Sequence, residues 1–243
     1  MRLVWILLFF ICFLLAESRF SLIDEHIDNG RYRLALEEIN ILVLVYPNDA
    51  ELLWRKANAH YEVADQTNDI SIHKTHFYPG FEAAKKAIVL DPNSARANHW
   101  YAVLIGEIGL LEGTEQKIIN SYDVEKYALK AIELDPNYDG TYHVMGRWHY
   151  EISSLSWFER KIAGWIYETP PEGSFQKAVE YFTKAISVDY EYIRHHVWLG
   201  KTYLELDEKN RAKNEFLIAT SLYPTDDGDI LLQNEATKLL KSL

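Results

Sequence analysis

Cysteine is almost missing from this chain of 243 residues, since Cys12 is the only one and lies in an apolar N-terminal segment. If that segment is removed from the mature protein, no cysteine remains. Disulfides, thiol catalysis and cysteine-ligated zinc are then excluded. The fold must be held together by side-chain packing.

Basic residues are also scarce, because 25 Lys and Arg stand against 36 Asp and Glu, for a formal net charge of −11. Nucleic-acid binding draws most of its affinity from Lys and Arg that neutralise phosphates. We therefore expect no nucleic-acid partner. The overall charge does not exclude a local basic patch.

The motifs of common catalytic chemistry are missing as well. The sequence has no nucleophile elbow, no phosphate-binding loop and no helical zinc motif. His73 and His76 are three residues apart and His195 precedes His196, but no third ligand follows either pair at helical spacing. The sequence predicts a protein that is not an enzyme and that holds no metal and no cofactor.

A long apolar run occurs only at the N-terminus, where Arg2 precedes the 14 residues from Leu3 to Ala16. A helix that spans a bilayer needs about 20 apolar residues, whereas a short basic start and a shorter apolar run are typical of a secretory signal. Residues 1–17 are therefore predicted to be a signal peptide or an N-terminal membrane anchor. The protein is expected to be exported, periplasmic or extracellular, or else anchored to a membrane.

One short sequence motif that contains a proline recurs along the rest of the chain. Proline cannot continue a helix, and it forces the preceding residue out of the α region, so each copy ends one helix before the next begins. Helix ends that recur in this way are typical of an all-α repeat protein. The copies are Val45 to Asn48, Leu90 to Asn93, Leu134 to Asn137 and Leu222 to Thr225.

The unit that begins at Ile193 shows the repeat most clearly. Gly200 is small where two antiparallel helices would cross, and Phe216 fills the space between two alanines on the second helix. A period of 34 residues matches the tetratricopeptide repeat. The signature residues are Trp198, Leu199, Gly200, Tyr203, Ala212, Phe216, Ala219 and Leu222.

The whole chain is accordingly predicted to be a tetratricopeptide-like helical-hairpin superhelix (α-solenoid) over residues 18–243. The middle units contain extra residues, which we place in long insertions between the two helices of a pair. The predicted units are 18–48, 50–93, 95–137, 139–192 and 193–226, followed by a capping helix in residues 229–243.

The longest insertion carries segments that a generic repeat does not have. They are Gly146 to Tyr150, Leu155 to Trp157, Glu159 to Lys161 and Glu168 to Pro171, preceded by Glu112-Gly113 with Ile118, Tyr122 and Lys126. From Ala84 to Leu240 the chain resembles the regulator of microtubule dynamics family of tetratricopeptide-like proteins. The resemblance implies an all-helical domain, often with an N-terminal membrane anchor. It also implies association with microtubules, or lipid binding at organelle contacts, as in animal members.

The first helix of each pair is expected to line the concave side. Four of the residues predicted to face the concave side are cations, and no acid follows Glu51 among them. This pattern predicts a basic groove that recognises an acidic or carboxylate-bearing peptide, or an anionic lipid head group, through charge-assisted hydrogen bonds. The predicted partner-binding residues are Trp54, Asn58, Tyr61, Arg96, His99, His143, Arg147, Tyr150, Arg194 and Lys201.

Two other interpretations stay open. The charges could belong to the solvated face of a hydrophilic wall. The tryptophans and the apolar stripe from Leu155 to Trp165 could either fill the wedges between helices or form a lipid-binding site.

Overall fold

The computed structural model describes residues 19–166 and 171–243. All regular structure in these ranges is helical, which confirms the predicted fold class. The helices are α1 (residues 19–28), α2 (Tyr32–Val45), α3 (Ala50–Asp65), α4 (Ile70–Leu90), α5 (Ala95–Glu112), α6 (Thr114–Leu134), α7 (Asp139–Ser153), α8 (Trp157–Ile166), α9 (Phe175–Val188), α10 (Ile193–Glu205), α11 (Lys209–Ser221) and α12 (Asp227–Ser242).

The helices pack as consecutive antiparallel pairs. These are α1 with α2, α3 with α4, α5 with α6, α7 with α9, and α10 with α11, while α12 packs on the last pair. Polar residues after the proline-containing motifs begin the next helix, because their side chains accept hydrogen bonds from otherwise unpaired backbone N–H groups. Asp49 accepts from Glu51 at 3.0 Å and from Leu52 at 3.2 Å, and Ser94 accepts from Ala97 at 3.2 Å.

The extra residues of the second and third units do not form loops. They lengthen the helices instead, since α4 and α6 have 21 residues each whereas α10 and α11 have 13. Pro79 lies inside α4. Within the described residues, the fourth unit has an insertion between its two paired helices, and this insertion contains α8.

Side-chain contacts bridge the two ends of the array, and we call the helix pairs around the space between them the ring. The Tyr32 hydroxyl donates to Asp226 at 2.7 Å, and Arg194 is ion-paired with Asp65. The side-chain oxygen of Gln66 accepts from the backbone N–H groups of residues 227 and 228 at the start of α12, at 2.9 and 3.2 Å. Residues near the start and the end of the chain therefore enclose a common central space.

The predicted N-terminal segment, residues 1–17, lies outside the described residues, as do Glu168 to Pro170 of the family-like insertion. In the part of the chain that is described, no helix combines the length and the apolar character needed to cross a membrane.

Candidate functional site

The central space of the ring contains a cavity of about 330 Å³. Its wall is mostly apolar and is built from the inner helices together with parts of α6 and the loops that precede α7 and α10. A cavity of this size lies at the lower end of the range for small-ligand sites. The main apolar residues of the wall are Trp100, Val103, Leu110, Val124, Val144, Trp148 and Ile152.

Six of the ten predicted partner-binding residues lie on this wall. They are Asn58, Tyr61, His99, His143, Arg147 and Arg194. The structure therefore brings together residues from four different helix pairs that are up to 136 positions apart in the sequence. Their role in binding stays a prediction.

The other four predicted residues do not line the cavity. The Trp54 indole donates to Glu51 at 3.0 Å, and the Tyr150 hydroxyl donates to Glu205 at 3.3 Å. The guanidinium of Arg96 lies 3.3 Å from the centre of the Tyr138 ring. Lys201 pairs with Glu235.

The basic groove stays a prediction, and the structure shows which groups surround its four cations. All four cations are paired with acids: Arg96 with Asp135 at 3.9 Å, Arg147 with Glu107 at 3.4 Å, Lys201 with Glu235 at 2.9 Å, and Arg194 with Asp65. The wall itself carries the acids Glu62, Glu107, Asp139, Glu151 and Asp189 against the cations Lys117, Arg147 and Arg194. The prediction was based on the residues along one face of the first helix of each pair, whereas residues at neighbouring positions and in loops supply these acids.

A chain of hydrogen bonds fixes His143 on the cavity wall. Asp139 lies 3.0 Å from Nε2 of His195, and Nδ1 of His195 lies 3.0 Å from Nδ1 of His143. Burial lowers the pKa of both imidazoles, so both rings are neutral at pH 7. Since the carboxylate requires the His195 proton on Nε2, the His195 Nδ1 accepts a hydrogen bond from Nδ1 of His143. His143 is left with Nε2 as a hydrogen-bond acceptor, and that atom has no partner in the described structure.

Glu62 is the most unusual acid on the wall. No hydrogen bond or ion pair joins its carboxyl group to another described residue. Burial, and after it the charge of Asp65, raises the pKa of Glu62 to about 8. One turn earlier on α3, the side-chain oxygen of Asn58 is buried and also without a partner. The donors Trp100 Nε1 and Arg147 Nε are unpartnered too.

Glu62 and Asp139 were not among the predicted site residues, although a signal for Glu62 was present in the sequence. Glu62 is four residues after Asn58, which places both on one face of α3. Among the described residues, no group of three His, Cys, Asp or Glu side chains is arranged to hold a metal ion.

Comparison with known proteins now decides the family. The family model "Regulator of microtubule dynamics protein 1-3" matches residues 20–243. The chain belongs to this family. Regulator of microtubule dynamics protein 1 of Bos taurus is 38% identical over 196 residues, which cover 79% of this chain and 62% of that protein. Regulator of microtubule dynamics protein 3 of Mus musculus is 30% identical over 197 residues, covering 81% of this chain and 42% of that protein.

Solved structures that resemble this member of the regulator of microtubule dynamics family show its fold. A thermophilic TPR protein of Thermus thermophilus superposes with a TM-score of 0.67 at 15% identity, covering 93% of this chain and 98% of that chain. PilW, a widely conserved type IV pilus biogenesis factor, gives a TM-score of 0.58 at 16% identity, with 93% and 86% covered.

The relatives correct the predicted localisation. The expectation of an exported or membrane-anchored protein is wrong, because the matching proteins are animal proteins named as regulators of microtubule dynamics. The resemblance to that family, stated from the segments around Gly146 and Leu155, is confirmed.

Proposed function

We propose that this chain is a non-catalytic binding module, and that a segment of a protein partner enters its central cavity. The observation that carries the proposal is the cavity itself, a mostly apolar space at the centre of the ring with a small number of charged and polar side chains on its wall. Binding sites of proteins commonly combine an apolar wall with few polar groups that orient the ligand.

The family name suggests which partner to test. The chain spans 62% of the length of the bovine relative, whose name describes regulation of microtubule dynamics. We propose that the partner is tubulin in the assembled microtubule. An acidic peptide is a poor occupant of the cavity, because the cations on the wall are ion-paired and are outnumbered by acids.

The proposal is tested by pelleting the chain with microtubules assembled from purified tubulin. Val103→Trp would fill part of the cavity, whereas Val89→Trp makes the same change on the outside of the ring, where Val89 is exposed. We expect Val103→Trp to weaken binding at least ~10-fold, which corresponds to ~1.4 kcal/mol, and Val89→Trp to bind as the wild type does. Circular dichroism checks that both variants are folded. Unchanged pelleting of a folded Val103→Trp protein would rule out the cavity as the binding site.

A lipid is the second candidate ligand, since the wall of the cavity is mostly apolar. The volume of about 330 Å³ would enclose only part of an acyl chain and its head group. Extraction of the purified protein with organic solvent, followed by mass spectrometry, tests this candidate. Bound lipid in the wild type that is reduced in Val103→Trp would support it, and lipid-free wild-type protein would eliminate it.

A further inference from the structure

Apolar clusters join each helix pair to the next along the chain. A first cluster takes buried residues from α1, α2 and α3, and a second takes them from α3, α4 and α5. A third is built from α5, α6 and α7 with side chains of α4 and α9, and a fourth from α9 to α12 with Tyr150 of α7. Consecutive clusters therefore share at least one helix. The first and the fourth share none, so in the described residues no apolar cluster joins the two ends of the array.

The two ends are bridged by polar contacts instead, and we call the place where they meet the seam. Its hydrogen bonds and its ion pair join Tyr32, Asp65 and Gln66 to Arg194 and to residues 226–228. Polar groups that separate form new hydrogen bonds with water, so the net cost is small, whereas exposed apolar surface costs free energy in proportion to its area. The seam is therefore the joint at which the array separates at the lowest cost.

The acids at the seam also oppose its closure. Glu62 and Asp65 lie in the last turn of α3, opposite Asp226 and Asp229 at the start of α12. After burial and the charge of Asp65, and against the lowering effect of Arg194, the charges of Asp226 and Asp229 raise the pKa of Glu62, because like charges repel across the seam. Of the ion pairs between described residues, that of Arg194 with Asp65 is the one that crosses the seam. The closed form therefore depends on Arg194.

The seam forms one side of the central cavity. Glu62 from the end of α3 and Tyr192 and Arg194 from the start of α10 line the cavity. The Arg194 guanidinium thus belongs both to the cavity wall and to the ion pair that crosses the seam. Separation of the two ends widens the cavity on this side, while the wall from α5, α6 and α7 keeps its packing.

We propose that the seam is a latch, at which the array opens while its helix pairs stay packed, and that the open form admits the partner segment to the cavity. The opening follows from the contacts of the two ends, whereas its use in binding rests on the proposed function. Closure of the latch behind the segment retains it in the cavity.

Two spin labels report the opening without any partner. They are attached through Asp28→Cys and Tyr223→Cys in a chain that also carries Cys12→Ser. Both label positions are exposed, and they lie on opposite sides of the seam. Double electron–electron resonance should find two distances, a shorter one from the closed form and a longer one from the open form.

The ion pair across the seam should control the ratio of the two forms. Arg194→Met removes the cation and should raise the ratio of open to closed molecules at least ~5-fold, the effect of ~1 kcal/mol. Arg211→Met is the matched control, because Arg211 pairs with Glu208 inside the last helix pair, and it should leave the ratio unchanged. A single distance that is the same in all three proteins would overturn the inference.

A disulfide across the seam tests the use of the latch in binding. A Cβ atom at Gly30 would lie 3.6 Å from the Cβ atom of Asp226, a separation that a disulfide spans. Gly30→Cys with Asp226→Cys, again with Cys12→Ser, is compared in its reduced and oxidised forms. The effects of the substitutions themselves, including that of the positive φ of 67° at Gly30, are common to both forms. The oxidised form should bind microtubules at least ~10-fold more weakly than the reduced form, equivalent to ~1.4 kcal/mol.

The outcomes separate the latch from the proposed function. Equal microtubule binding by both forms, with the disulfide confirmed by mass spectrometry, would overturn the role of the latch in binding. If the spin labels report two distances but the wild type does not bind microtubules, the latch stands and the proposed function is wrong. If they report one distance while Val103→Trp still abolishes microtubule binding, the latch is wrong and the proposed function stands.

Discussion

Buried histidines make the chain sensitive to acid at the scale of single residues. Burial lowers the pKa of His60 and His99 to about 3 and that of His149 to about 4. Below the ordinary histidine pKa of 6.5, the unfolded chain therefore binds more protons than the folded chain, and stability decreases as the pH falls. Each of these histidines should cost about 1.4 kcal/mol at pH 5.5, one pH unit below that value.

Glu62 acts in the opposite direction. Its raised pKa means that the folded chain binds the extra proton between about pH 4.5 and 8, so this residue adds stability as the pH falls through that window. The histidine effect is therefore measured in Glu62→Gln, by urea unfolding at pH 7.5 and pH 5.5. We expect a decrease of several kcal/mol at the lower pH. An equal free energy of unfolding at both pH values would contradict the account.

At the scale of the helix pair, single glycines set how closely two helices approach. A Cβ atom at Gly200 would lie 2.5 Å from the Phe216 ring, and one at Gly146 would lie 2.6 Å from Phe182. Gly200→Ala should therefore lower the free energy of unfolding by ~1 to 3 kcal/mol through overpacking. Gly164 on α8 is the matched control, since nothing lies within 4 Å of its Cβ position. There the same change should stabilise by up to ~1 kcal/mol, because alanine favours the helix. Equal shifts in urea unfolding would show that the close approach does not matter.

The helices also show how much of the fold could be predicted from the sequence. The proline-containing motifs predicted the helix ends, because proline restricts its own backbone and that of the preceding residue. Gly200 and Phe216 predicted a close helix crossing. The extra residues before Gly80 were placed in a loop, whereas α4 continues through Pro79. The apolar stripe of α8 was interpreted either as filling between helices or as a lipid-binding site, and Phe158 and Trp165 on this stripe are 61% and 78% exposed.

At the scale of the whole molecule, closure of the ring determines the character of the cavity. The contacts Tyr32 with Asp226 and Arg194 with Asp65 join residues 194 and 129 positions apart. The sequence pattern of the repeats does not predict such contacts, since it describes only the packing of neighbouring units. Six wall residues were therefore predictable from helix periodicity, while the charge of the wall was not.

The central claim is that the partner enters the ring, and the most direct measurement is photocrosslinking to assembled tubulin. A benzophenone side chain is placed at Leu110, a partly exposed residue on the cavity wall, or at Val89 on the outside of the ring. The account predicts a tubulin adduct from position 110 and none from position 89. An adduct from position 89 alone would contradict it and place the binding surface on the outer face of the ring.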